Sequence, residues 1–195
     1  MQKNIKQALF VILLFLHGCG LFDSREVEPP SESRSTFIQP TSPDLVLTNL
    51  IFSISEKNLD NYMRCFVDSN FSNKRFRYFP DALSQASYPV FQSWNLSSER
   101  VYYSNLISAT DPNAASNLFA DNYTINTAID SAIMDMDYIF VFGHNRQNVA
   151  VEAKGKLRFV MATDTRGLWS IYDWYDFTDK NNDTTWSVVK ANFIN

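Results

Sequence analysis

The first half of the chain carries apolar residues at the spacing of buried helical faces. Ser42-Pro43-Asp44 has the features of a helix start, because serine caps well and proline is favoured in the first turn. Apolar side chains then recur at intervals of three and four, which places them on one helical face. They are Leu47, Leu50, Ile51 and Ile54, and after Lys57-Asn58 a shorter set follows at Leu59, Tyr62, Met63 and Phe66. This pattern predicts two consecutive helices with a bend at Asn58.

The middle of the chain predicts a short strand and one more helix. Residues 73–80, NKRFRYFP, alternate basic and aromatic side chains and end at a proline, which is typical of a short strand. Residues 87–108 are predicted to be helical, with Asn95 and Ser97 as candidate caps. Four residues of this segment share one face: Glu99, Tyr102, Tyr103 and Leu106.

After residue 115 the period of the pattern changes from that of a helix to that of a strand. Phe119, Tyr123, Ile125 and Ile129 alternate with polar neighbours, and residues 137–145 form a continuous apolar run. Residues 149–163 alternate strictly, which predicts a half-buried antiparallel strand, and residues 168–177 return as its partner after the turn DTRG. Trp186, Val189 and Phe193 have the spacing of a short C-terminal helix that packs on the domain.

Helices followed by long antiparallel strands predict an α+β domain. The order of helices and strands predicted over residues 43–178 resembles that of the NTF2-like, or cystatin-like cone, superfamily. The segment GLWSIYDWYDF resembles the terminal strand of such domains. The resemblance implies N-terminal helices packed in a curved antiparallel sheet, with a pocket between the two. A lipocalin-like barrel is the main alternative, but three helices in the first half disfavour it.

The first residues have the pattern of an export signal. Lys3 and Lys6 precede an uncharged apolar run over residues 8–16, which is too short for the roughly 20 residues of a spanning helix. Leu16-His17-Gly18-Cys19 then resembles the lipobox of bacterial lipoproteins, although His17 is larger than the residues usual at that place. The resemblance implies that residues 1–18 are a signal peptide and that Cys19 becomes the lipidated first residue. An ordinary signal peptide with an incidental cysteine is the alternative.

Residues 19–42 are predicted to be the lipidated cysteine and a tether, and residues 43–195 the folded domain. Proline, serine and charged residues dominate the tether, and no apolar periodicity is present. Two acyl chains anchor a protein to a bilayer stably. Gly20, rather than an aspartate, follows Cys19, and by analogy with lipoproteins this favours the outer membrane of the cell envelope.

Composition excludes several function classes. The net charge of −4 falls to about −6 once Lys3 and Lys6 leave with the signal peptide, so the chain has no electrostatic reason to bind nucleic acid. The five glycines form neither a dinucleotide-binding nor a Walker A motif. If Cys19 is lipidated, Cys65 has no disulfide partner, and its apolar neighbours predict a buried structural thiol.

Candidate catalytic residues are few. His144 is the one histidine beyond the signal peptide, and its position at a strand end is also that of an ordinary turn histidine. Asp137 beside Tyr138, and Asp173 beside Tyr172, are weak candidates for an acid–phenol pair, and both also fit strand caps. No G-x-S-x-G motif occurs, and Asp179–Asp183 lacks the glycine and glutamate of a calcium loop. The sequence therefore predicts no metal site and no cofactor.

Two functional hypotheses follow. The first is a lipid-anchored, non-enzymatic cone domain that binds a small hydrophobic ligand or an envelope protein, with a homodimer through the sheet face as one form of partner binding. The second follows from the enzymes of the NTF2-like superfamily, which include ketosteroid isomerases and scytalone dehydratases. It is an isomerase, dehydratase or hydrolase with an acid/base pair in the cone pocket.

Overall fold

The computed structural model describes residues 36–180 and 184–195; the predicted signal peptide, Cys19 and most of the tether lie outside them. The helices are α1 (Pro43–Ser55), α2 (Leu59–Met63), α3 (Ala82–Ser87), α4 (Leu96–Ser108) and α5 (Trp186–Phe193), with a 3-10 helix at Pro89–Ser93. The strands are β1 (Arg77–Phe79), β2 (Ser116–Thr127), β3 (Ser131–Phe142), β4 (Glu152–Thr163) and β5 (Trp169–Phe177).

Side-chain caps set the helix boundaries. The Asn58 side chain accepts from the Asn61 amide and starts α2 at the predicted bend. The predicted helix over residues 87–108 is two helices, because Asn95 adopts an extended backbone and caps α4 in a reciprocal pair with Ser98. Helix α3 was not predicted; the Asp81 carboxylate caps it by accepting from two backbone amides.

The sheet of the described residues has the strand order β1-β5-β4-β3-β2. The four long strands are antiparallel neighbours, as the sequence predicts. The short strand β1, whose direction the sequence does not predict, pairs in parallel with β5, so the sheet is mixed. Helices α3 and α4 and strands β2, β3 and β4 lie between β1 and β5 in sequence, so no hairpin turn fixes the relative direction of these two strands.

Strand β4 confirms the predicted alternation for residues 153–161, whereas Val151 before it is exposed. Its buried face consists of Ala153, Gly155, Leu157, Phe159 and Met161. Gly155 lies opposite Tyr138 in the ladder, and a Cβ added there would lie 2.4 Å from the Phe177 carbonyl oxygen and 3.2 Å from the Tyr138 hydroxyl. The missing side chain therefore leaves room for Tyr138 between the sheet and the helices.

Residues 36–42, assigned to the tether by the sequence, pack on the domain. The Trp169 amide donates to the Pro40 carbonyl at 2.8 Å, and the Asn49 side chain bonds both backbone groups of Ile38. Among the described residues, no helix has the length and apolarity needed to cross a membrane.

Candidate functional site in the cone interior

The C-terminal helix fills the space between α4 and the inner face of the sheet, here called the cone interior. Trp186 stacks on Phe140 with ring centroids 4.2 Å apart and meets Trp174 edge-on at 4.7 Å. Trp186 and Phe193 are fully buried, as is Lys190 between them. The predicted packing of a short C-terminal helix is confirmed, and the helix occupies the place where the NTF2-like resemblance implies a pocket.

Lys190 forms a buried ion pair with Glu99 of α4. The Lys190 ammonium donates to Glu99 Oε1, and both side chains have no exposed surface. The same carboxylate accepts from the Tyr62 hydroxyl at 2.6 Å and from Trp94 Nε1 at 2.8 Å. Three donors thus surround a carboxylate that would otherwise be strongly disfavoured in an apolar interior.

Aromatic rings complete the surroundings of the ammonium. The Lys190 nitrogen lies 3.9 Å from the ring centroid of Trp174, 4.3 Å from that of Tyr78, 4.9 Å from that of Tyr102 and 5.5 Å from that of Trp94. These four rings and Glu99 are called the ammonium cage below. Ring faces attract a cation, and more so where water is excluded. Burial nevertheless lowers the pKa of Lys190 to about 8, against the opposing effect of Glu99.

A second buried carboxylate holds the start of α5. Asp176 of β5 accepts from the Tyr138 hydroxyl at 2.8 Å and from the Ser187 amide and hydroxyl at 2.7 and 2.5 Å. The Tyr138 hydroxyl in turn accepts from the Trp186 amide at 2.7 Å. Burial raises the pKa of Asp176 to about 6, although the bonds from Ser187 and Tyr138 favour its charged form.

This raised pKa predicts a measurable pH dependence of stability. A carboxyl group that binds its proton more tightly in the folded state contributes stability at low pH that is lost as the pH rises through its folded pKa. Between about pH 4 and pH 6, the wild type should therefore lose up to about 3 kcal/mol relative to Asp176→Asn. Urea unfolding across this range measures the difference.

Asp137→Asn is the matched control for this prediction. Its carboxylate lies on the outer face, where bonds from Lys156 and Asn122 lower its pKa, so the wild type should gain stability relative to this variant as the pH rises. A wild-type advantage over Asp176→Asn that stays constant with pH would contradict the assignment of a raised pKa to Asp176.

The structure does not bring the three sequence candidates together. Asp137 is half-exposed on β3 and paired with Lys156 at 2.6 Å, and the buried Asp173 carboxylate accepts from Nε and Nη2 of the exposed Arg77 guanidinium. His144 is buried at the end of β3, where its Nε2 bonds the Ala150 carbonyl and its Nδ1 accepts from the Arg146 amide. In these hydrogen bonds and ion pairs, none of the three side chains has a residue of the ammonium cage as its partner.

Within the described residues Cys65 is a free thiol, and its burial is as the sequence predicts. Its sulfur donates to the Asn61 carbonyl at 3.4 Å, and burial raises the pKa of the thiol. A raised pKa keeps the group protonated and disfavours its use as a nucleophile.

Two surface cavities of the described residues lie outside the cone interior. A groove of about 870 Å³ runs between α2, the start of α4 and the β4–β5 turn, where Arg64, Arg100 and Arg166 alternate with acidic side chains. A smaller depression of about 230 Å³ includes Asp137 and lies on the outer face of the sheet. Among the described residues, no group of three or more histidine, cysteine, aspartate or glutamate side chains is placed to hold a metal ion.

Glu99, Lys190 and Asp176 were not predicted as site residues from the sequence. The position of each one nevertheless indicates a buried side chain. Glu99 shares the predicted buried face of α4 with three apolar or aromatic residues. Lys190 lies four residues after Trp186 and three before Phe193, on the same helical face. Asp176 lies two residues after the buried Trp174, on the same side of β5.

Comparison with known proteins identifies the fold. No protein family profile matches the sequence, and no curated protein matches it at a significant level. A candidate dehydratase of the NTF2-like family from Streptomyces avermitilis matches with a TM-score of 0.53 and 8% identity, over 70% of this chain and 93% of its own. A candidate aromatic ring hydroxylase from Novosphingobium aromaticivorans matches with a TM-score of 0.52 and 12% identity, over 73% and 91%.

A protein of the NTF2-like superfamily from Salmonella enterica matches with a TM-score of 0.47 and 13% identity, over 67% of this chain and 83% of its own. At these identities the similarity concerns the fold and not the activity. The chain therefore has an NTF2-like α+β fold, with its helices on one face of a five-stranded mixed sheet.

Proposed function

We propose that this chain is a lipid-anchored protein of the bacterial cell envelope, attached at Cys19 to the outer membrane, whose domain binds a partner and is not an enzyme. The Leu16-His17-Gly18-Cys19 motif supports the anchor. One observation carries the binding role: the cone interior is filled by the chain's own α5, with Lys190 paired to Glu99. A small-molecule enzyme of this fold needs that space for its substrate.

Electrostatics also disfavours a small hydrophobic ligand in the cone. A neutral molecule that displaced Lys190 would leave the Glu99 carboxylate buried without a cation. Removing one partner of a buried ion pair typically costs about 3–5 kcal/mol, which exceeds the roughly 1.5–3 kcal/mol gained by burying one apolar side chain. We therefore propose an envelope protein, and not a neutral lipid or steroid, as the partner. Formation of a homodimer through the outer face of the sheet follows from the resemblance to NTF2-like domains and remains a prediction.

Metabolic labelling tests the anchor. Cells that express the full chain and grow with labelled palmitate should incorporate label, and Cys19→Ser should abolish it because that thiol is the acylated atom. Cys65→Ser is the matched control and should keep full labelling, since its sulfur is buried in the domain. Label that persists in Cys19→Ser would refute the anchor.

A ligand titration tests the closed cone. Trp94, Trp174 and Trp186 all line the cone interior, so their indole N–H resonances report on any molecule that enters it. 1-Naphthol at millimolar concentration should leave these three resonances unchanged. Trp169, which borders the outer groove, is the reference signal. Saturable shifts of the interior resonances would contradict the proposal.

One observation favours a second candidate, acid–base catalysis. Asp176 is a buried carboxyl group with a pKa of about 6 and a neighbouring phenol, Tyr138, which is a combination suited to proton transfer near neutral pH. Its oxygens are occupied by donors from Tyr138 and Ser187, so a substrate would have to displace the start of α5. Hydrophobic ligand binding in the titration above, lost in Asp176→Asn, is the result that would favour this candidate.

A further inference from the structure

The ammonium cage has the composition of a binding site for a cation. Four aromatic ring faces and one carboxylate enclose a single positively charged nitrogen, and the enclosed group is fully buried. Aromatic rings around an ammonium are also how proteins recognise amine ligands. The occupant here is Lys190, which the chain supplies from its last helix.

The hydrogen bonds at Glu99 select the kind of ammonium. Oε1 accepts from Tyr62 and from the Lys190 ammonium, and Oε2 accepts from Trp94. The bond to the ammonium requires an N–H donor, which a primary amine has and a quaternary amine lacks. The cage therefore fits a primary alkylammonium group and disfavours both tetraalkylammonium ions and neutral molecules.

One polar atom of the cage has no partner. Trp174 is fully buried and its indole N–H makes no hydrogen bond, one of two such buried side-chain atoms among the described residues. Buried donors are satisfied in most proteins, so an orphaned one calls for an acceptor. The charged Lys190 ammonium has only N–H donors, so the present occupant leaves this indole N–H unsatisfied.

The position of α5 permits exchange of the occupant. The ladders β2–β3, β3–β4 and β4–β5 pair without this helix. Besides the Lys190–Glu99 pair, its polar attachments lie at its two ends. Trp186 bonds Tyr138 and Tyr102, and Ser187 bonds Asp176, Tyr78 and the Asp81 amide. At the other end, Asn105 donates to the Phe193 carbonyl. Outward movement of α5 would open the cage and leave the sheet intact.

We propose that the ammonium cage is a binding site for a primary alkylammonium group, and that Lys190 is a tethered occupant which the ligand replaces when α5 moves out. The ligand is a free amine or a lysine side chain of a partner protein, since both present the same group. This inference rests on the proposed binding role and gives it a site and a ligand chemistry.

Chemical rescue tests the cage. Lys190→Ala removes from the cage the atoms that make up n-propylamine. The variant is studied in the mature chain that also carries Cys19→Ser. There, n-propylammonium chloride should raise its melting temperature above the value in sodium chloride of equal concentration. Neutral n-propanol and tetramethylammonium chloride should give no such rise.

The added change Glu99→Gln should weaken binding of n-propylammonium about tenfold or more, because the carboxylate is lost. A variant that is partly unfolded remains informative, since the ligand then restores the fold. Equal effects of the amine and n-propanol would overturn the proposal.

Amide hydrogen exchange in the chain with native Lys190 tests the replacement. Either 1,5-diaminopentane or a blocked peptide of residues 184–195 should accelerate exchange of the α5 amides and leave those of β3 and β4 unchanged. Acceleration by the diamine alone assigns a free amine, and acceleration by the peptide alone assigns a protein lysine. Acceleration by neither means that Lys190 is only a structural residue and overturns the proposal. Binding of 1-naphthol would refute the proposed function separately, whatever the amines do.

Discussion

Replacing Glu99 with glutamine is expected to lower the free energy of unfolding by about 3–5 kcal/mol, because the Lys190 ammonium would remain buried without its counter-charge. Both side chains are inaccessible to solvent, so water cannot compensate the loss. Urea unfolding at neutral pH, followed by circular dichroism, measures the change. A loss of this size would make the buried pair one of the largest single contributions in the domain.

The double variant Glu99→Gln/Lys190→Met is the decisive control. It removes both charges, keeps an acceptor for Tyr62 and fills the space of the lysine chain, so it should be more stable than Glu99→Gln alone. Asp135→Asn breaks the half-exposed pair with Arg158 and should cost no more than about 1 kcal/mol. Equal losses in the free energy of unfolding of Glu99→Gln and Asp135→Asn would contradict the large contribution expected of the buried ion pair.

Truncating Trp186 to alanine is expected to cost about 3–5 kcal/mol, because it removes the largest apolar group of α5 from the cone interior. The ring stacks on Phe140 and meets Trp174, and its indole N–H donates to the Tyr102 hydroxyl at 2.7 Å. Chemical denaturation of the variant and the wild type under the same conditions gives the difference.

Two milder variants separate packing from hydrogen bonding at Trp186. Trp186→Phe keeps an aromatic ring against Phe140 and should lose less than half as much stability as Trp186→Ala. Tyr102→Phe removes only the acceptor of the indole and should cost about 1 kcal/mol. If Trp186→Ala is no more harmful than Tyr102→Phe, α5 does not form part of the core and the filled cone is contradicted.

Most of the fold could be predicted from local periodicity. The helical spacing of Leu47, Leu50 and Ile54 and the strict alternation over residues 153–161 both report burial on one face, and this is the signal from which such elements can be predicted. The direction of β1 and the position of α5 depend on contacts between residues far apart in sequence. Local patterns contain no information on such contacts.

The candidate site could be predicted less well than the fold, because the alternation of side chains along a strand decides which of them reach the cone interior. Asp137 and Asp173 are candidates by chemical type alone, and each precedes an inward aromatic residue, Tyr138 or Trp174. Because successive strand residues face opposite sides, both carboxylates lie on the outer side of the sheet, where Asp173 is buried in its pair with Arg77. The same alternation places Asp176 inside. Glu99 and Lys190 lie on predicted buried faces 91 residues apart, and their pairing follows only from the three-dimensional packing of α4 against α5.

Direct observation of the Lys190 ammonium group is the sharpest test of a cone filled by the chain itself. Nitrogen–proton correlation spectra of the lysine side chains, recorded well below pH 8 so that Lys190 is charged, should contain one slowly exchanging ammonium signal. Its proton shift should move upfield, because the faces of Trp174 and Tyr78 lie over it, and the signal should vanish in Lys190→Met. Spectra in which every lysine ammonium exchanges rapidly at the shift of an exposed lysine would contradict the account.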